Sequence, residues 1–252
     1  MRTIKNSIPQ PVKRFVQDKL EQVCLHYVGK AGKLRTMAEF RRNADAIFGS
    51  RESQTLESVA ALRQRYETRP IIGEVSIERL FELLAQVIDP TNLGLYCGSQ
   101  LTHTLQVVES MEEAGITDRD LIIAALLHDI GKVALLKGEK PENIECGGKI
   151  PIGKNVAGGG FARSNFIWDH SDIVYARLKP YLNEKVAWLV RYHSIQKECY
   201  PLMDDHDRYM FATYFKVFQV HDQTYSFYHN PKYLIDHYIG LLKEVFPTRI
   251  LF

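Results

Sequence analysis

The chain has 252 residues, of which 45% are hydrophobic and 25% are charged. These proportions are close to the average of globular proteins, so they exclude a disordered or fibrous chain and supply enough apolar material for a sizeable core. Lys and Arg total 32 against 30 Asp and Glu, which gives a net charge of +2. Nucleic-acid-binding proteins usually carry a clear basic excess, so we expect a small-molecule substrate and no nucleic-acid partner.

Nothing in the sequence predicts a membrane or secreted protein. The longest apolar run, Leu121 to Leu127, is far shorter than a membrane span. The first six residues lack the apolar stretch of a secretory signal, and the four cysteines form no Cys-x-x-Cys pair. We therefore expect a cytoplasmic location and no membrane partner.

Helical signals follow one another in the first half of the chain. Ser76 can cap a helix that ends before Asp89-Pro90, and Ser99 can open another that runs to Gly115. Thr117, with Asp120 three residues later, is typical of a capping box before the next apolar helix, which we expect to stop near Gly131.

The second half continues the helical pattern after an irregular stretch. A glycine-rich segment from 137 to 163 predicts a lid or binding loop. Asn183 can cap a helix, a longer helix is expected from about Asp205 to Tyr228, and Pro231 can start a last one that ends near Val245. Strand signals are few. The pattern predicts one all-α domain with an N-terminal helical extension.

The segment from Leu126 to Lys132 carries the clearest chemical signal. It places His128-Asp129 at the end of an all-apolar helix, where a carboxylate is costly to bury unless a positive group meets it. Neighbouring side chains on a helix diverge by about 100°, so His128 and Asp129 can reach one site only where the helix ends or where the metal lies near its edge. The pair alone is weak support for a metal site.

Further potential ligands lie on the inward faces of separate predicted helices. Each single histidine could be a hydrogen-bonded core residue, and Asp222 could be a structural acid. His221 competes with Asp222, but His221 points about 100° away from the aromatic stripe that contains Asp222. Together these side chains offer what a two-metal site needs, namely several protein ligands for each ion and open positions. The candidate metal ligands are His103, His128, Asp129, His170, His193 and Asp222.

The order of these ligands resembles the two-metal form of the HD-domain superfamily, which contains both phosphohydrolases and oxygenases. From about Phe40 to Phe252 the chain resembles the myo-inositol oxygenase family. The resemblance rests on these segments: 40–43, 54–56, Arg65-Tyr66, Asp89-Pro90, His103 with Gln106, 126–132, Gly147 with 151–153, His170 with Asp172 and Tyr175, 191–194, 218–225 and 238–252.

The resemblance implies an all-α HD-domain helical bundle. We expect a single oxygenase domain over 1–252, with an N-terminal helical extension at 1–90. A metal-binding HD core at 91–230 and a C-terminal helix and tail at 231–252 would follow.

It also implies a mixed-valent Fe(II)/Fe(III) pair with O2 as co-substrate. His103, His128 and Asp222 would hold one iron, His170 and His193 the other, and Asp129 would bridge them. The reaction implied is oxidative cleavage of a C–C bond beside a metal-bound hydroxyl of a polyol, which for myo-inositol gives D-glucuronate.

Five residues match positions near the substrate in this family. Lys132 is expected to be catalytic and to hold a substrate oxygen, although it could be a solvated lysine at a helix C-terminus. Ser194 could hydrogen-bond the substrate or be an ordinary serine after a helical histidine. Gly147 would let the backbone approach the substrate. Asp89 and Arg41 complete the predicted substrate-binding set.

The chain departs from the family in the glycine loop. Gly148, followed by Lys149, stands where the family has an acidic residue that receives substrate hydroxyls. Lys137, Lys140, Lys149 and Lys154 could indicate an acidic substrate such as a phosphonate, or could be ordinary lysines of a solvated loop. A phosphonate-cleaving di-iron oxygenase, an HD-domain phosphohydrolase and a non-catalytic metal-binding module therefore stay open as alternatives.

Overall fold

The computed structural model describes residues 37–91, 99–145, 148–152, 166–222 and 230–252, and this part of the chain is mostly helical. The α-helices are α1 Met37–Glu52, α2 Leu56–Thr68, α3 Ile77–Leu84, α4 Gln100–Glu113, α5 Arg119–Leu127, α6 His170–Leu178, α7 Glu184–Tyr192, α8 Asp205–Met210, α9 Lys216–Asp222 and α10 Asp236–Lys243. Segments of 3-10 helix cover Ile130–Lys137, Pro141–Asn143, Lys179–Tyr181 and Lys197–Leu202. The all-α prediction is confirmed. The predicted domain boundaries stay a prediction, and their first 36 residues lie outside the described part.

Three of the predicted helix caps are confirmed. The side chains of Ser76, Ser99 and Asn183 each accept a hydrogen bond from a backbone N–H in the first turn of α3, α4 and α7. The prediction of Thr117 as a cap is wrong by one residue. Asp118 caps α5 instead, because its carboxylate accepts the backbone N–H groups of both Asp120 and Leu121.

Two later helices differ from their predictions. The expected helix from Asp205 is α8, a π-helix at Phe211–Phe215 and then α9, and residues 223–228 lie outside the described part. The last helix begins at Asp236 rather than at Pro231. Before it, the backbone N–H of Lys232 donates to the Glu109 carboxylate of α4 at 3.0 Å, which ties this segment to α4 outside any helix.

Two short strands join distant parts of the chain. β1 Glu74–Val75 pairs antiparallel with β2 Ile250–Leu251, with Val75 opposite Ile250. The buried Phe252 accepts further bonds from the backbone N–H groups of Ile72 and Gly73. Strands of two residues are too short to show alternation, so the sequence did not predict them.

The centre of the molecule is α5, whose residues from Leu121 to Leu127 are all buried. It packs against α4 on one side and α7 on another, and α6 packs against α7. The apolar run that is too short for a membrane is therefore the core helix, and its C-terminal end lies deep inside the protein. Among the described helices, none has both the length and the apolar character that crossing a bilayer requires.

Candidate metal centre

The end of α5 brings neighbouring side chains to one place. The α-helix stops at Leu127, His128 is its C-cap, and Asp129 has φ −102° and ψ 0°, outside the helical geometry of α5. A 3-10 helix then continues from Ile130. Because the helix ends here, the His128 and Asp129 side chains both reach the same buried centre, which is the first of the two arrangements that the sequence allowed.

The first group of potential ligands comprises His103 of α4, His128 and Asp222 of α9. Their ligand atoms all lie within 4.8 Å of one another. The Nε2 atoms of His103 and His128 are each 3.3 Å from Oδ1 of Asp222. The rival residue His221 is directed elsewhere, since its Nδ1 lies 2.8 Å from the Ser110 hydroxyl.

The second group comprises Asp129, His170 at the start of α6, and His193 at the end of α7. The Nε2 of His170 is 2.9 Å from Oδ1 of Asp129 and 3.2 Å from the Nε2 of His193. The other Asp129 oxygen, Oδ2, faces the first group and lies 3.2 Å from the Nε2 of His128. Each oxygen of this one carboxylate thus faces a different group.

Backbone carbonyls orient three of the four imidazole rings. The Nδ1 atoms of His128, His170 and His193 lie 2.7, 2.7 and 2.9 Å from the carbonyl oxygens of Ala125, Ile144 and Val190. A carbonyl can only accept a hydrogen bond, so in the neutral rings Nδ1 carries the proton and the Nε2 lone pair points at the centre. This is the usual outer support of a metal-binding histidine.

The donor set fits metal ions. The buried Nε2 of His128 has no hydrogen-bond partner in the described structure. The other potential ligand atoms around it also present lone pairs to the centre, so none of them can donate a hydrogen bond to it. Burial alone would lower the pKa of His128, yet the Asp129 and Asp222 carboxylates raise it to about 10. The centre therefore attracts positive charge, and imidazole with carboxylate donors suits a transition-metal ion.

Lys132 lies beside this centre in a buried network. Its ammonium is 2.8 Å from Oδ2 of Asp89 and 3.4 Å from Oδ1 of Asp129. Burial of Asp89 favours its neutral form, but the charge of Lys132 lowers the pKa of Asp89 to about 2. Both predicted substrate residues are thus buried together, and Lys132 is not a solvated lysine.

Two members of this network were missed by sequence reasoning. The Gln100 amide donates to Oδ2 of Asp129, and its carbonyl oxygen is 3.4 Å from the Lys132 ammonium. Glu145 is fully buried, with an oxygen 3.9 Å from the same ammonium. Burial and the negative charge of Asp89 raise the pKa of Glu145. The one available signal for Gln100 is its place one helical turn before His103.

The other predicted substrate residues differ in where they lie relative to the centre. Ser194 follows His193, and its hydroxyl donates to Oδ2 of Asp169 at 3.4 Å. Arg41 has an exposed side chain on α1, so burial offers no support for its predicted role. Gly147 lies outside the described residues.

Gly131 does not end α5, as the sequence had suggested, but lies in the following 3-10 helix and allows close packing there. A β-carbon at this position would lie 2.1 Å from the backbone oxygen of His170, which is closer than any real contact. The absence of a side chain therefore lets the segment after Asp129 approach the start of α6. This approach helps to bring Asp129 and His170 within 2.9 Å of each other.

The interpretation of the loop lysines needs correction. Lys149 is fully buried and pairs with two protein carboxylates, so it is neither solvated nor available to an acidic substrate. Lys137 and Lys140 are exposed, and Lys154 lies outside the described residues. Among the three lysines of this set that the structure describes, the acidic-substrate interpretation thereby loses the only buried one.

Comparison with known proteins provides independent evidence about the family of this chain. A family model described as "Myo-inositol oxygenase" matches residues 42–159. The chain is 27% identical to "Inositol oxygenase 2" of Arabidopsis thaliana over 246 residues, which cover 78% of this chain and 74% of that protein. It is 25% identical to "Inositol oxygenase 1" of the same plant over 259 residues, with coverages of 84% and 81%. It is 24% identical to "Probable inositol oxygenase" of Oryza sativa subsp. japonica over 274 residues, with coverages of 89% and 83%.

The family model covers only half of the six potential metal ligands. His103, His128 and Asp129 lie inside residues 42–159. His170, His193 and Asp222 lie beyond it, and the folded geometry brings them to the same centre. The match and the geometry therefore support one another from different parts of the chain.

Proposed function

Because the chain belongs to the myo-inositol oxygenase family, we propose that it uses O2 to cleave a C–C bond of a polyol such as myo-inositol. Two iron ions in the Fe(II)/Fe(III) state are the proposed cofactor. For myo-inositol the change is a four-electron oxidation in which one oxygen atom of O2 enters the product D-glucuronate and the other leaves as water.

The carboxylate of Asp129 carries the proposal. One of its oxygens faces His128 at 3.2 Å and the other faces His170 at 2.9 Å, which is the arrangement that a bridging ligand between two ions needs. His103 and Asp222 would complete the first ion's ligands, and His193 the second's. A bound metal pair would lower the pKa of a coordinated substrate hydroxyl and accept electrons on the way to O2.

The residues around Lys132 would bind and orient the polyol. Its ammonium can donate to a substrate oxygen next to the metals, while Asp89 holds the ammonium in place at 2.8 Å. The Ser194 hydroxyl, next to His193, would offer a further hydrogen bond. These neutral or charge-balanced contacts suit hydroxyl groups, and the buried pairing of Lys149 gives no reason to favour a phosphonate.

The direct test measures iron content, the half-integer-spin signal of a mixed-valent pair, and O2 uptake with myo-inositol. We expect two irons per chain and O2 uptake that depends on the polyol. Phosphatase activity with Mn²⁺ or Mg²⁺, and no O2 uptake with any polyol, would favour an HD-domain phosphohydrolase. Uptake with small phosphonates but not with polyols would favour a phosphonate-cleaving oxygenase, and binding of metal without turnover would favour a non-catalytic module.

A further inference from the structure

Lys149 makes a group of buried ionic contacts. Its side chain is 1% exposed, and its ammonium lies 2.6 Å from Oδ2 of Asp172, 3.3 Å from Oδ1 of Asp169 and 3.4 Å from the carbonyl oxygen of Ile167. The Nε of Arg191 lies 3.2 Å from the other oxygen of Asp172. Two cations and two carboxylates therefore balance in charge inside the protein.

The backbone of Lys149 joins a second segment. Its N–H donates to the carbonyl oxygen of Ser194 at 2.9 Å, and its own carbonyl accepts the N–H of Gln196 at 3.2 Å. Lys149 and Ile195 thus form a parallel bridge. One residue contacts the chain immediately after His193 through its backbone, and the chain around His170 through its side chain.

These contacts lie directly next to two potential metal ligands. Asp169 precedes His170 and caps α6, because its carboxylate accepts the backbone N–H of Ser171 at 2.9 Å. Ser194 follows His193 at the end of α7. Lys149 therefore links the start of α6 to the end of α7 next to both histidines of the second group, in addition to the direct contact of the Ser171 hydroxyl with the carbonyl oxygen of Arg191 at 2.8 Å.

We propose that Lys149 is a positioning residue for the second metal ion, holding His170 and His193 at the separation that one ion requires. Its ammonium bridges Asp169 and Asp172 on the α6 side while its backbone binds the turn after α7. This inference rests on the proposed two-metal centre, but not on the reaction that the centre performs.

A lysine suits this position for a physical reason. Its three N–H donors match the three oxygens around it, and its charge offsets two carboxylates that would otherwise repel each other in a buried place. If the ammonium is replaced by an apolar group, the Asp169 segment is expected to move away from the α7 turn. Small displacements of ligands weaken metal binding strongly, since the ligands must converge on one point.

The test uses Co²⁺ as the probe, added to the metal-free full-length protein and followed by absorbance and by metal analysis after gel filtration. We expect two Co²⁺ per chain for the unchanged protein. For Lys149→Met we expect about one Co²⁺ per chain, with the second bound at least tenfold more weakly. Lys140→Met, which removes an exposed lysine of the same region, is the matched control and should bind two.

A double variant separates positioning from simple destabilisation. Lys149→Met combined with Asp172→Asn restores the balance of charge, since one cation, Arg191, then stands against one carboxylate, Asp169, so it should regain thermal stability. If Lys149 positions the ligands, this variant still binds only one Co²⁺ tightly; if Lys149 only balances charge, the second Co²⁺ returns and the proposal is overturned. The double variant also answers the question if Lys149→Met alone does not fold.

The remaining outcomes are equally decisive. Two tightly bound Co²⁺ in Lys149→Met would overturn the inference, and so would a single Co²⁺ in the unchanged protein. Two Co²⁺ in the unchanged protein and one in the variant, without any polyol-dependent O2 uptake by the iron form, would support the role of Lys149 while rejecting the proposed function.

Discussion

Replacement of Lys132 by methionine tests the buried network beside the metal centre. The change keeps much of the side-chain volume but removes the charge that faces Asp89 at 2.8 Å and Asp129 at 3.4 Å. In the unchanged protein the pKa of Asp89 is about 2, against an ordinary value of 3.8, which corresponds to roughly 2 kcal/mol from this carboxylate alone. Removing one partner of a buried pair typically costs about 3–5 kcal/mol.

We therefore expect the metal-free Lys132→Met protein to lose about 3–5 kcal/mol of unfolding free energy at pH 7, or roughly 6–20 °C in Tm. The sign of the pH dependence follows from Asp89. Its folded pKa lies below its unfolded value, so its contribution is present above pH 4 and is lost as the pH falls toward 2. The deficit of the variant should accordingly be smaller at pH 3 than at pH 7.

The assay is urea unfolding of the metal-free proteins at both pH values, with Lys140→Met as the control for loss of an exposed lysine. The double variant Lys132→Met with Asp89→Asn should regain part of the stability, because the buried negative charge that lost its ammonium partner is gone. A deficit in unfolding free energy below about 1 kcal/mol at pH 7, or an equal deficit at both pH values, would refute the reasoning. The expected size of the deficit and its pH dependence both follow from the buried ion pair.

Three other changes have defined outcomes. His170→Ala removes one of three ligands of the second group, so iron should fall from two to one per chain with loss of turnover; unchanged iron by metal analysis would contradict the assignment. Glu145→Gln should raise Tm at pH 8 but not at pH 4. Burial raises the pKa of Glu145 in the folded protein, so this carboxyl group destabilises the fold only at pH values above its unfolded pKa. Equal shifts of Tm at both pH values, measured by calorimetry, would contradict the prediction. Gly148→Ala should cost about 1–3 kcal/mol in urea unfolding, since its φ is +96° and a β-carbon would meet the Gln196 amide. Adding Gln196→Ala should restore only part of that loss, because the strained φ persists; full restoration would show that strain is not involved.

The sequence predicts most of the helices, and it predicts the end of α5 about four residues late, near Gly131 rather than at Leu127. The capping signals at Ser76, Ser99 and Asn183 are local, so they are readable without knowledge of the fold. Asp129 follows a helix that contains seven consecutive apolar residues, and the free-energy cost of burying its carboxylate there already predicted a positively charged partner. The division of the ligands into two groups was available only through the family resemblance, because it depends on which helices pack together.

The surroundings of the centre could not be predicted in the same way. Gln100, Glu145 and Lys149 belong to residue types that are usually exposed, and apart from the place of Gln100 one helical turn before His103 no local pattern marks them as buried. Their burial follows from partners that are 13 to 32 positions away along the chain, such as Asp129 for Gln100, Lys132 for Glu145 and Asp169 for Lys149. The π-helix at Phe211–Phe215 also left no signal, because its aromatic spacing fits an α-helix equally well.

The carbonyl groups that orient His128, His170 and His193 belong to the main chain of Ala125, Ile144 and Val190. Any amino acid supplies the same oxygen at these positions, so the support of the rings survives replacement of the side chains. Evolution can then alter the walls that recognise a substrate while leaving the basicity and direction of the imidazoles intact. Such an arrangement would let substitutions in the pocket change which substrate is bound while the proposed metal ligands keep their geometry.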